Sequence, residues 1–175
     1  MNGAVFIDRD GTLIKEVNYL SSLEQLDIFE YSFDALKVFN NLKLRVIVIT
    51  NQSGIARGYF NKEFVEATHN LIAKTVKNRG CVIDDFFYCP HLPENNCKCR
   101  KPKIGMIEKA VEKYGMDLKK SFFIGDSVKD VDTGINAGVL PIQVLTGYGR
   151  ERTHPGSMVT VNIYTASLLI KNLVL

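Results

Sequence analysis

The chain has 175 residues, 46% of them apolar, and a formal net charge of +3. That length buries one good core and falls short of two ordinary domains, so a single domain over residues 1–175 is expected. Lys and Arg are interspersed with acidic residues rather than gathered into a basic tract, which argues against a nucleic-acid partner. Apolar runs such as Val46–Ile49 and Ala166–Ile170 fall far below the roughly 20 residues that cross a bilayer, which argues against a membrane partner.

Gly3 leads directly into an apolar run without a basic region or small-residue cleavage site, so a cytoplasmic protein is expected. The first strand is read over Ala4–Asp8. Phe33, Leu36, Phe39 and Leu42 then mark one face of a helix, followed by a strand over Leu44–Thr50. Asn61 is placed to cap a second helix with Phe64, Thr68, Leu71, Ile72, Thr75 and Val76 on its inner face. Cys81, read as a small buried hydrophobe, opens a strand over Val82–Tyr88.

Ile107, Ala110, Val111 and Tyr114 predict a third helix closed by Gly115, then a strand over Phe122–Gly125. Val128, Val131 and Ile135 predict a fourth helix closed by Gly138, then a strand over Pro141–Leu145. Thr153 to Gly156 reads as a loop, leading to a short strand and a last helix that ends at Leu175. Strands alternating with amphipathic helices predict an α/β fold, a doubly wound parallel sheet with helices on both faces.

In such sheets ligands sit beyond the carboxyl ends of the strands. Asp8 and Asp10, two residues apart, face the same side of an extended chain, and Gly11 permits a sharp turn after them. Two carboxylates so close favour a divalent cation, and hard Mg²⁺ prefers oxygen ligands. Thr50 and Asn51 end another strand, Asp126 a third, and Lys101 follows in a loop. Carboxylates, a hydroxyl and a cation are the parts that phosphoryl transfer requires.

Cys89, His91, Cys97 and Cys99 fall within eleven positions, three thiols and an imidazole with the composition of a closed structural zinc site. All four candidate ligands lie in one loop, leaving no open coordination position for a catalytic water. Arg100 and Lys101 follow at once, so a folded loop would fix where two cations point.

Four segments, FIDRDGT (6–12), ITNQSG (49–54), CRKP (99–102) and IGDSVKD (124–130), stand in the order of the four motifs of the haloacid dehalogenase superfamily, which the chain resembles to about Gly149. The resemblance implies that Asp8 attacks phosphorus and that Asp10 protonates the leaving oxygen and then deprotonates water. It implies Mg²⁺ held by Asp8, the backbone carbonyl of Asp10, and Asp126, with Thr50 and Lys101 on the phosphoryl oxygens. Asp130 either reaches the metal through water or caps a helix. Lys129 is assigned no role.

The cysteine loop resembles the branch that holds heptose-1,7-bisphosphate phosphatases and histidinol phosphatases, which lack a large cap domain. Gly54-Ile55-Ala56-Arg57-Gly58 and Gly105-Met106 resemble the heptose enzymes, whereas the short Cys-Pro-His-Leu-Pro loop resembles the histidinol enzymes. Arg57 and Arg100 are cations for a second phosphate, which favours the sugar bisphosphate. The expectation is a monomeric phosphatase acting on a small sugar phosphate for bacterial surface polysaccharide, with histidinol phosphate as the alternative. Glu16, Asn18, Tyr19, Asn51, Gln52 and Ser53 are the further candidate substrate contacts. A binding module that keeps the phosphate pocket without turnover is the non-enzymatic alternative, disfavoured by intact Asp8, Asp10, Lys101 and Asp126.

Overall fold

The computed structural model describes residues 3–174. Its strands are β1 (Ala4–Ile7), β2 (Arg45–Asn51), β3 (Asp85–Cys89), β4 (Phe122–Gly125), β5 (Leu140–Val144) and β6 (Met158–Thr160). The helices are α1 (Glu30–Asn41), α2 (Lys62–Asn78), α3 (Gly105–Tyr114), α4 (Val128–Ala137) and α5 (Ile163–Val174). The strands form one sheet in the order β3-β2-β1-β4-β5-β6, every pair parallel.

Period-two alternation splits each central strand between two cores. Val5 and Ile7 join Val46, Val48, Ile124 and Ile142 beneath α1, α2 and α5, packed by Phe33, Leu36, Phe39, Ile72, Val76, Ile163 and Ile170. Ala4 and Phe6 join Ile47, Ile49 and Phe123 beneath α3 and the end of α4, packed by Met106, Ile107, Ala110 and Ala137. Burying each such Leu, Ile or Phe contributes about 1.5–3 kcal/mol. The two apolar faces hold the sheet rigidly between helical layers, leaving only the strand ends for polar work.

The expected helices and turns are present. Asn61 Oδ1 accepts from the Phe64 amide at 2.9 Å, and Gly115 and Gly138 close α3 and α4 with φ of 63° and 71°. The expected third strand starts late: Cys81 is buried in a loop, Val82 is exposed, and pairing with β2 begins only at Asp85. Asp84 instead accepts from the Val46 amide and the Arg45 guanidinium, both at 2.8 Å. The predicted helix end at Leu175 and the first two residues lie outside the described residues.

The segment between β1 and α1 carries one 3₁₀ turn, Leu23–Gln25, and no inserted domain occurs among the described residues. Nor is any described helix long and apolar enough to cross a membrane. In the order 3-2-1-4-5-6, connections from the central strands leave in opposite directions, opening a crevice at the carboxyl ends of β1, β2 and β4.

Candidate active site

A cleft of about 470 Å³ occupies that crevice, and Asp8, Asp10, Thr50, Lys101 and Asp126 all line it. The Asp8 amide still pairs with the Ile124 carbonyl of β4 at 2.9 Å, so the carboxylate leaves a fully braced strand end. Lys101 spans the sheet to meet it. Its Nζ donates to Asp8 Oδ1 at 2.5 Å, Asp130 Oδ1 at 2.5 Å and the Ile49 carbonyl at 3.1 Å, which uses all three ammonium donors. The backbone of Lys101 is held in turn by Asn51, whose Oδ1 accepts from the Lys101 amide at 3.0 Å and whose Nδ2 donates to its carbonyl at 3.3 Å.

Asp130 spends its other oxygen on α4: the Ser127 amide and hydroxyl donate to Oδ2 at 3.0 and 2.6 Å. It therefore caps the helix and orients Lys101. Asp126 faces the cleft, where its Oδ2 accepts from the Tyr148 amide at 2.7 Å. Gly11 and Gly147 wrap that oxygen: a Cβ at either position would lie 2.3 or 2.0 Å from it, and both have positive φ. The fully buried Gln143 ties this region to the tail. It donates to the carbonyls of Asp126 and Arg152 at 3.1 and 2.8 Å, and accepts from the His154 amide at 2.7 Å.

Burial raises Asp8 well above the ordinary aspartate value; Lys101 offsets this in part, while Asp130, Asp126 and Asp10 add to it. Asp126 is raised to about 7, by burial first and then by Asp130. For Lys101 burial opposes the charge, but Asp130 and Asp8 outweigh it and lift the group above the ordinary lysine value. Two carboxylates that resist ionisation, with oxygens of Asp8, Asp126 and Asp130 within 4.8 Å of one another, form a centre short of positive charge. A hard divalent cation fits it, and Asp8 and Asp126 are the two members not committed to a helix cap.

Asp10 stands between β1 and β2. Its Oδ2 accepts from Gln52 Nε2 at 2.9 Å and Thr50 Oγ1 at 3.3 Å, and Gln52 also reaches Thr50 at 2.8 Å. Glu16, Asn18, Tyr19, Asn51, Gln52, Ser53 and Arg100 line the cleft as well. Asn18 and Tyr19 turn the loop there with φ of 47° and 71°, strained values for residues with a Cβ. Tyr19 is seated edge-on against Tyr59 at 4.9 Å.

Arg57, expected beside the reaction centre, is instead exposed on its loop and outside the cleft lining. Lys129, assigned no role above, lines the cleft from the start of α4, and Arg9 and Tyr148 line it from other segments. The helical start of α4 adds a positive dipole end suited to phosphate. Among the described lining residues none comes after Tyr148; the tail runs away to β6 and to α5, which packs on α1.

The sulfur loop begins where β3 ends. Cys99 Sγ lies 3.2 Å from Cys89 Sγ and 3.5 Å from Cys97 Sγ, and His91 Nδ1 lies 3.3 Å from Cys99 Sγ. All four ligand atoms fall within 4.8 Å of one another. Tetrahedral Zn–S bonds of about 2.3 Å would separate sulfurs by about 3.7 Å, so the quartet fits such an ion after small adjustments. Arg100 Nη1 donates to the His91 carbonyl at 3.1 Å, joining the loop to the cleft wall.

A HAD-hydrolase-like family model matches residues 98–169. The chain is similar to a D-glycero-alpha-D-manno-heptose-1,7-bisphosphate 7-phosphatase of Photorhabdus laumondii, 37% identical with 95% of each chain covered. It is also similar to a D-glycero-beta-D-manno-heptose-1,7-bisphosphate 7-phosphatase of Helicobacter pylori J99, 39% identical over 83% of this chain and 84% of the relative. Among solved structures, the D,D-heptose 1,7-bisphosphate phosphatase of B. bronchiseptica, complexed with magnesium and phosphate, superposes with a TM-score of 0.90 at 29% identity. That match covers 97% of this chain and 98% of the other.

Proposed function

The chain belongs to the haloacid dehalogenase superfamily, among the relatives of the heptose-1,7-bisphosphate 7-phosphatases, and from that premise we propose that it hydrolyses the 7-phosphate of a D-glycero-D-manno-heptose 1,7-bisphosphate. The observation that carries the reading is the convergence of Asp8, Asp10, Lys101 and Asp126 in one cleft at the carboxyl ends of three strands.

In the first step Asp8 Oδ attacks phosphorus while the proton carried by Asp10 passes to the bridging oxygen, releasing the sugar hydroxyl and leaving an aspartyl phosphate on Asp8. In the second step Asp10 takes a proton from water, the oxygen of that water bonds to phosphorus, and the carboxylate of Asp8 is restored with release of phosphate. Lys101, pinned beside Asp8 by Asp130 and the Ile49 carbonyl, and Thr50 stand against charge that develops on the phosphoryl oxygens. Asp8, the Asp10 carbonyl and Asp126 are the residues that would hold Mg²⁺. When bound, the ion neutralises the nucleophile's surroundings and the transferring phosphoryl group.

Arg100 and Lys129 on the cleft wall supply cations for the second phosphate of a bisphosphate. Cys89, His91, Cys97 and Cys99 would hold a structural zinc ion. Burial pushes the Cys89 thiol up to about 12, so a bound metal rather than the protein would ionise it. Steady-state phosphate release with Mg²⁺ from the α and β anomers of heptose 1,7-bisphosphate, beside histidinol phosphate, tests the reading. A strong preference for one heptose anomer is expected; a preference for histidinol phosphate would overturn the substrate.

A further inference from the structure

Arg9 heads the fully buried side chains by volume among the described residues, at 2% exposure. A leucine would fill such space without the cost of stripping water from a guanidinium, so its donors need partners. Nε lies 3.2 and 3.1 Å from the two oxygens of Asp10, and Nη2 donates to Oδ1 at 3.0 Å. Nη1 is 3.3 Å from His69 Nε2, on the buried face of α2.

Arginine only donates, so His69 Nε2 must accept and the ring is neutral with its proton on Nδ1. Burial, then the charge of Arg9, hold His69 down to about 3, which keeps that acceptor available at any working pH. The ring is fixed by stacking on Phe86 of β3, 4.7 Å between centroids at 18°, and by the edge of Tyr88 at 5.7 Å. A continuous chain of contacts thus runs from the edge strand through α2 to the carboxylate of Asp10.

We propose that Arg9 and His69 are positioning residues: His69 fixes the plane of the guanidinium, and the guanidinium fixes the Asp10 carboxylate against Thr50 and Gln52. This rests on the acid and base role proposed for Asp10. Proton transfer to a departing oxygen demands tight orientation, so freeing the carboxylate slows the chemistry without altering what it is made of.

The test compares kcat/KM, which reports events up to phosphorylation of Asp8, for p-nitrophenyl phosphate and for the heptose bisphosphate, both with Mg²⁺. An aryloxide departs with little help from a proton, whereas a sugar alkoxide needs it. In His69→Leu, which strands Nη1, the sugar value should fall about tenfold more than the aryl value. His69→Gln, whose amide oxygen restores an acceptor, should keep the wild-type ratio. Arg9→Lys, which retains charge but loses the two-point grip, should behave like His69→Leu and decides the matter if the leucine variant does not fold. Losses in equal proportion on both substrates, or an unchanged ratio, would overturn the positioning role. A wild-type protein inactive on both substrates would instead remove the reading of the cleft.

Discussion

The carboxylate centre and the sulfur loop lie at the ends of neighbouring strands yet are assembled by opposite means. Asp8, Thr50, Lys101 and Asp126 come from four separate segments, and Lys101 lies 93 positions from the carboxylate it meets at 2.5 Å. The four sulfur-loop ligands come from one stretch, Cys89–Cys99, with Cys89 buried at the end of β3, Cys97 and Cys99 packed against the same core, and the Arg100 guanidinium on the His91 carbonyl. The first site exists because the whole sheet is rigid, so it has a shape before any ligand arrives. The second is anchored to the core at Cys89, while the exposed turn between His91 and Cys97 would draw its order from a metal.

Removing the nucleophile gives the largest expected effect. Asp8→Asn should reduce phosphate release by more than about 10⁴-fold while circular dichroism stays unchanged; appreciable turnover would mean that another group attacks phosphorus. Elemental mass spectrometry should find one zinc ion per wild-type chain, and Cys99→Ser should lower that content and reduce the unfolding midpoint by about 6–12 °C. Activity should fall less, since Lys101 is also held from the sheet by Asn51, Asp8, Asp130 and the Ile49 carbonyl. Lost turnover with an unchanged melting temperature would break the contrast between the two sites.

Gly147→Ala would push a methyl into Asp126 Oδ2 and should raise the Mg²⁺ concentration for half-maximal activity by about 10–100-fold. The smallest effect is expected at Asn51, which touches only the backbone of Lys101 in the hydrogen bonds it makes. Asn51→Ala should lower kcat/KM by about 5–10-fold, the loss of two modest hydrogen bonds, with Mg²⁺ dependence unchanged. A shifted Mg²⁺ dependence would show that the lysine and metal sides of the cleft are not separable.

The alternation of strand and helix was legible because both faces of the sheet are covered, so β1, β2 and β4 read as unbroken apolar runs. Asp8, Thr50 and Asp126 were legible as polar residues at strand ends, whereas Lys101 lies in a loop and its role came only from the resemblance of the four motif segments. His69 was not, since on α2 it follows the buried Thr68 and reads as part of an ordinary inner face. Arg9 was hidden by its place between two aspartates, where a charged neighbour reads as solvated. Arg57 is the converse case: a cation next to a motif segment is exposed and outside the cleft lining, although hydrogen bonds to Gln52 and Ser53 fix the backbone of its turn. Tyr148 contributes through its backbone amide, a group that every residue but proline carries and that no side-chain pattern reveals.

Gln143 gives the far end of the chain a stake in the chemistry. One buried amide group holds the backbone of Asp126 on one side and the Arg152–His154 turn on the other. A change of length or a new proline between Arg150 and His154 would therefore be transmitted to the cleft, although that turn contributes no residue to its lining. The turn around Arg57 is tied to the cleft by a shorter route, its Ile55 and Arg57 amides donating to the Gln52 and Ser53 carbonyls at 3.2 and 3.1 Å.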